Sequence, residues 1–210
     1  MSRLVVTAFV TLDGVMQAPG GPGEDTDAGF AHGGWQVPYA DEDFGEIMDE
    51  VLLHGADQLL LGRRTYDIFA AHWPRVTDEN DPLAAKLNSM PKYVASRTRD
   101  RLEWHDSHLL TGDAGESVAR LKERLDGVLM TQGSSDLIHT LQQHGLVDEY
   151  RLIVSPVLLG TGKRLFAEGA APAAWHLTES RATGAGALYC AYERAGRPGY
   201  GSFALDDEQA

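Results

Sequence analysis

At 210 residues the chain has room for one domain with a full hydrophobic core. Apolar residues are 43% of it and the formal net charge is −13, which argues against a nucleic-acid partner, whose phosphates need a basic surface. No apolar run approaches the roughly 20 residues of a membrane helix, the first one is too short for a secretory signal, and a lone cysteine, Cys190, suits a reducing cytoplasm.

Residues 3–11, rich in Val, Leu, Thr and Phe, read as a buried first strand that Asp13-Gly14 breaks. Residues 17–34 carry Pro19, Gly20, Gly21, Pro22, Gly23, Gly29, Gly33 and Gly34 and read as a long mobile loop. Loops of that length inside a compact domain are usually functional or disordered. From residue 43 to about 54, Phe44, Ile47, Met48, Val51 and Leu52 recur at helical spacing. A strand at 57–61 and a helix at 65–71 follow, the helix ending near Trp73-Pro74. Beyond a polar break at 78–81 come a short helix (82–90), a strand (92–96) closing on Ser96-Arg97-Thr98-Arg99, and a short strand (108–111). Val118, Leu121 and Leu125 mark one face of a helix over 117–125. The remainder reads as a strand (127–131), a helix (136–144), a strand (148–157) and a hairpin (175–183 with 187–193). Beyond Ala195 the Gly, Pro and acidic content suggests a frayed tail.

Strands alternating with helices imply a largely parallel sheet covered on both faces, with an antiparallel edge at the end. No G-x-G-x-x-G follows the first strand, so the simple dinucleotide fingerprint is absent. Two later strand-to-helix turns suit phosphate instead. In Gly62-Arg63-Arg64-Thr65 a glycine allows close backbone approach, two guanidinium groups offer charge-assisted hydrogen bonds, and a hydroxyl lies near a helix start. Gly133-Ser134-Ser135 supplies small residues and free amides at a second helix start, where Asp136 is a candidate cap. Two such turns in one small chain point to a dinucleotide. An acidic chain needs a local positive patch to hold one, which draws attention to Arg63, Arg64, Arg97, Arg99 and Arg101; solvated surface charge is the plain alternative.

Four passages together carry a resemblance. They are Thr11-Leu12-Asp13-Gly14 after the first strand, Leu60-Leu61-Gly62-Arg63-Arg64-Thr65-Tyr66, Gln132-Gly133-Ser134 opening a helix, and the run from Val154-Ser155-Pro156 through Gly160-Thr161-Gly162-Lys163 to Phe166. Their order and spacing over residues 3–193 resemble the dihydrofolate reductase-like superfamily. Within it the chain is similar to the reductase domain of the riboflavin-biosynthesis deaminase/reductase. The resemblance implies a three-layer α/β/α sandwich with a mostly parallel central sheet and an antiparallel C-terminal strand. It implies one reductase domain over residues 1–195, a flexible tail over 196–210, NADPH as coenzyme and a homodimer, for which the apolar strand at 148–157 is the candidate contact. The deaminase half, with its H-x-E and P-C-x-x-C zinc signature, is absent, so a stand-alone reductase is expected.

By the same resemblance, Ser96, Arg97 and Thr98 fall where relatives read the 2′-phosphate of the adenosine ribose; hydroxyls and guanidinium groups suit that dianion, whereas an NAD site tends to place a carboxylate there. Hydride transfer also needs a proton source. The candidates are Asp43, on a helix where related reductases carry an acid, and Asp13. Each has a plain alternative: Asp43 with Glu46 as a capping box, Asp13 as a turn former. Trp35, Tyr39 and Trp73 are candidates for the wall of an aromatic substrate pocket or for core. Lys163 either meets an anionic substrate group or is a surface lysine. The eight histidines make no metal-ligand spacing, so no metal is expected. The leading expectation is an NADPH-dependent reductase of a pterin or a ribosylaminopyrimidine-like heterocycle. The alternatives are a dihydrofolate reductase proper and a non-catalytic dimeric NADPH-binding or sensing protein.

Overall fold

The computed structural model describes residues 1–78, 81–166 and 168–203. Its strands are β1 (Arg3–Thr11), β2 (Gln58–Gly62), β3 (Lys92–Ala95), β4 (Ser107–Leu110), β5 (Val128–Gln132), β6 (Glu149–Ser155), β7 (Ala174–Ala182) and β8 (Leu188–Gly196). They form one sheet in the order β4-β3-β2-β5-β1-β6-β8-β7. The first six strands of that order run parallel, β8 is antiparallel to β6, and β7 is antiparallel to β8. β1 is apolar along both faces because it lies inside this sheet with a helix layer on either side, the pattern of a buried parallel strand.

On one face lie α1 (Glu42–Met48), α2 (Arg63–His72) and α3 (Pro82–Ser89), which bury Ile47, Tyr66 and Leu87 against Val5, Leu59, Leu61 and Met130. On the other lie α4 (Ala114–Arg124) and α5 (Ser135–Gln143), which bury Val118, Leu121, Ile138 and Leu141 against Leu4, Val6, Leu60 and Leu129. The result is the expected three-layer α/β/α sandwich. β2 and β5 are neighbours, yet the helix leaving β2 covers one face and the helix leaving β5 covers the other. Their C-terminal ends therefore flank a crevice at a topological switch point, where open α/β sheets bind ligands.

Several expectations are corrected. Helices start where aspartates cap them: Asp41 accepts the Phe44 amide (2.9 Å), Asp81 the Ala84 amide (2.9 Å) and Asp113 the Glu116 amide (2.9 Å). Asp41, rather than an Asp43–Glu46 capping box, thus fixes α1, and α4 begins three residues ahead of the expected start. The helix expected to run to residue 54 is α-helical only to Met48 and continues as a π-helical turn over Asp49–His54. Asp136 is in the first turn of α5 but caps nothing; Ser134 precedes that helix in left-handed conformation. β8 continues to Gly196, the first residue of the expected tail, and residues 204–210 of that tail lie outside the described residues.

The expected mobile loop is a folded cover. Val15, Ala18, Phe30 and Trp35 form their own small core against Phe9, Val157 and Leu159. The Trp35 indole donates to the Gln17 carbonyl (2.8 Å), and the Gln17 amide donates to the carbonyls of Asp25 and Asp27 (3.1 and 3.2 Å). Gly162 (φ +119) packs beneath it, so closely that a Cβ there would lie 2.7 Å from Val15 and 2.8 Å from Phe30.

Candidate functional site

The two glycine turns meet. The Gly62 amide donates to Ser134 Oγ (2.9 Å), and Ser134 Oγ donates to Thr65 Oγ1 (2.9 Å). Gly133 (φ +64) comes so close to Thr65 that a Cβ would sit 3.3 Å from its hydroxyl. The next residue, Ser134, is also left-handed (φ 61, ψ 49), an uncommon state for a side-chain-bearing residue and one that clusters at ligand sites. The N-termini of α2 and α5 therefore open on one crevice, with their unpaired amides available to an anion. Ser135 is the first residue of α5 at this edge.

β3 brings the third passage alongside, since Ala95 is the register partner of Gly62. Ser96 Oγ accepts the amides of Thr98 (3.2 Å) and Arg99 (3.0 Å), so it shapes the turn. The Tyr66 hydroxyl on α2 accepts the amides of Glu103 (3.0 Å) and Trp104 (2.9 Å), which holds the segment after that turn. Asp67 joins the two arms by pairing with Arg63 (3.1 Å) and Arg99 (2.7 Å). Arg97 differs: it is exposed at the edge and has no ion pair or side-chain hydrogen bond among the described residues.

The ends of β1 and β6 make the other half of the site. Asp13 takes the hydroxyl of Thr11 (2.6 Å) and the amides of Leu159 (3.3 Å) and Gly160 (2.9 Å), and pairs with Arg164 (3.3 Å). Its carboxyl is lowered to about 2, chiefly by the Thr11 hydrogen bond, over the opposing cost of burial and with the help of those amides. An acid so strong holds no proton at neutral pH; Asp13 anchors the loop beyond β6. Asp43 is exposed and accepts the Gly184 amide (2.7 Å) in the β7–β8 turn, beside Asp41, which accepts the Ala185 amide (2.6 Å). Both candidate acids are engaged in holding loops.

The aromatic candidates separate. Tyr39, Phe9 and Phe44 each pack against the core on the same face of the sheet, where Phe9 and Phe44 lie 5.6 Å apart. Trp35 is core of the cover itself. Trp73 is removed from the site: α2 carries the chain about 15 Å from Gly62 over its ten residues. There the Trp73 carbonyl accepts from Asn88 (3.0 Å), whose own carbonyl is held by Lys92 at the N-terminal end of β3. Lys163 pairs with Asp25 (2.5 Å) and Asp27 (2.9 Å) of the cover, and Asp27 also pairs with Arg64.

Sequence reasoning passed over Asp25, Asp27 and Asp67, whose partners lie far along the chain or on another element. It also passed over Gln36, which is buried, bonds through its Oε1 to the Ser155 hydroxyl, and leaves its Nε2 without a partner. The hydroxyl of Thr7, fully buried on β1, is likewise unpartnered. Among the described residues no group of three or more His, Cys, Asp or Glu is arranged to hold a metal ion, and no helix is long and apolar enough to cross a membrane.

The sheet order, the switch-point crevice and the antiparallel C-terminal hairpin define a dihydrofolate reductase-like α/β protein. The sequence model of the RibD C-terminal domain matches residues 2–189, and the chain belongs to that family, whose character is reductase-like. The uncharacterized protein YyaP of Bacillus subtilis (strain 168) is 29% identical over 166 residues, 78% of this chain and 80% of that protein. Three solved structures share the fold. A putative riboflavin biosynthesis protein from Shewanella sp. PV-4 has a TM-score of 0.60 at 20% identity, covering 91% of this chain and 98% of that one. A pyrimidine reductase-like protein from Corynebacterium diphtheriae has a TM-score of 0.58 at 13% identity, with 92% of each chain covered. The dihydrofolate reductase of Enterococcus faecalis, complexed with NADP(H) and RAB-propyl, has a TM-score of 0.59 at 14% identity, covering 92% and 96%.

Proposed function

We propose that this protein is an NADPH-dependent reductase that delivers hydride to a small heterocyclic substrate of pterin or ribosylaminopyrimidine kind. The observation that carries the reading is the crevice between β2 and β5, where two helix N-termini are drawn together by close packing of Gly62 against Ser134 and of Gly133 against Thr65, and Arg97 stands unpaired beside them. Gly62, Thr65, Gly133, Ser134 and Ser135 would hold the pyrophosphate, with Arg63 and Arg64 on its rim. Arg97 and Thr98 would hold the 2′-phosphate. The bound coenzyme supplies the hydride. The protein's part is to orient it against a ring resting on Phe9, Tyr39 and Phe44, and to exclude water with the folded cover.

The test is direct titration of the purified protein with NADPH and NADH, followed by a substrate panel read at the absorbance of the reduced nicotinamide. NADPH binding at least ten-fold tighter than NADH (about 1.4 kcal/mol) is the expected result, and equal or absent affinity refutes the reading. One observation favours a second reading, a dimeric NADPH-binding sensor without turnover: both candidate acids are engaged in holding loops. Tight coenzyme binding with no oxidation across the panel would select it.

A further inference from the structure

We propose that Asp27 is a specificity-determining residue that competes with the coenzyme's phosphate for Arg64 and thereby couples coenzyme binding to the segment covering the substrate. The proposal rests on the coenzyme reading above for the identity of the phosphate. Arg64 is the second residue of α2, inside the phosphate-type turn, yet its guanidinium pairs with Asp27. Asp27 belongs to the cover, 37 residues away in sequence. The same carboxylate reaches Lys163 (2.9 Å), which Asp25 also holds (2.5 Å). Two carboxylates from the cover thus stand where phosphate oxygens would otherwise find cations.

The arrangement is built into the backbone. Ala28, directly after Asp27, is left-handed (φ 55, ψ 24), a conformation an alanine adopts only under constraint. The carbonyls of Asp25 and Asp27 are both gripped by Gln17, whose Oε1 accepts the Lys163 amide (3.0 Å). The carboxylates are therefore aimed rather than scattered. A phosphate offers more acceptor oxygens and more charge than Asp27, so it takes over Arg64, and the cover loses one of its two attachments to cations. A ligand without a phosphate at that place leaves the clasp closed. Coenzyme is consequently added before substrate.

The test uses the full chain, with amide hydrogen exchange at residues 17–34 and titration by NADPH and by inorganic pyrophosphate. In the unsubstituted protein both ligands should raise exchange in the cover. Asp27→Asn should raise it without ligand and tighten NADPH about two- to five-fold, the range of a half-exposed ion pair. Asp27→Glu, which keeps the charge, should stay near the parent. Unchanged or weaker NADPH binding by Asp27→Asn overturns the proposal, as does equal tightening by Asp27→Glu. Should NADPH not bind while pyrophosphate still loosens the cover, the coenzyme reading falls and the competition stands. Should pyrophosphate leave exchange unaltered, the competition falls whatever NADPH does.

Discussion

Replacing Arg97 by alanine should separate the two nicotinamide coenzymes. Arg97 is exposed and has no partner among the described residues, so its charge is not discounted by an internal carboxylate. A hydrogen bond to a charged group contributes about 1.5–3 kcal/mol, or roughly 10- to 150-fold in affinity. Two unit charges 4 Å apart interact by about 1 kcal/mol in water and about 4 kcal/mol near a protein surface, which brackets the same range. Arg97→Ala should therefore weaken NADPH by one to two orders of magnitude and leave NADH within about two-fold. Arg99→Ala should cost NADPH less. Arg99 already shares Asp67 with Arg63, so its loss lets Asp67 turn wholly to Arg63. Isothermal titration of both variants against both coenzymes is the assay. Equal weakening of NADPH and NADH by Arg97→Ala, or a larger loss in Arg99→Ala, would refute the assignment of the 2′-phosphate to this turn.

Other expectations concern the scaffold of the site. Gly162→Ala puts a methyl group within 2.8 Å of Val15 and Phe30 at a φ of +119. It should destabilise the protein by about 2–4 kcal/mol in urea unfolding and raise exchange in the cover; a change below about 0.5 kcal/mol would deny the packing role. Asp13→Asn should destabilise the protein at neutral pH by freeing the loop beyond β6. Because the native carboxyl is lowered to about 2 from 3.8, that deficit should narrow as pH falls from about 4 to about 2, and a deficit constant with pH would argue against ionisation as its source. Lys92 is fully buried, donating to the carbonyls of Asn88 (2.9 Å) and His105 (3.0 Å), and burial lowers it from 10.5 to about 8 against the attraction of Asp106. Between those values the folded state binds fewer protons than the unfolded one, so stability should rise with pH by up to about 3 kcal/mol, a rise absent from Lys92→Met. Parallel pH profiles for the parent and that variant would refute it.

The strands were legible because most are buried on both faces and so read as short apolar runs between turn residues. The glycine turns were legible for a related reason: where the backbone turns left-handed with a neighbouring side chain packed against it, as at Gly133 (φ +64) against Thr65, glycine fits best, and it marks the place in the sequence. Helix starts were less legible, because Asp41 and Asp113 lie ahead of the apolar periodicity and only a cap geometry distinguishes them from other acidic residues. Nearness in sequence misled for Trp73: a helix beginning at the site ends about 15 Å away, by the N-terminal end of β3. The clasp was invisible for the opposite reason. Asp27 meets Arg64 across 37 residues and Lys163 across 136, and no local pattern in a Gly/Pro-rich stretch foretells such partners.

How an acidic chain holds an anion is then a matter of where its cations are left unneutralised. Arg63 and Arg99 share one carboxylate, Arg64 has Asp27, and Lys163 has two partners, so most positive charge near the crevice is internally compensated. What remains are Arg97, Arg101 and the unpaired amides of two helix N-termini, all short-range donors. The net charge of −13 repels an anion at distances that physiological salt screens within about 8 Å, whereas hydrogen-bond contacts lie well inside that length. On the coenzyme reading proposed above, recognition would be confined to ligands whose phosphates fit the amide geometry, because an anion that merely seeks positive charge would meet Asp27 and Asp67 first. The acidic surface and the glycine turns would then act together, one rejecting anions in general and the other admitting those held at close contact.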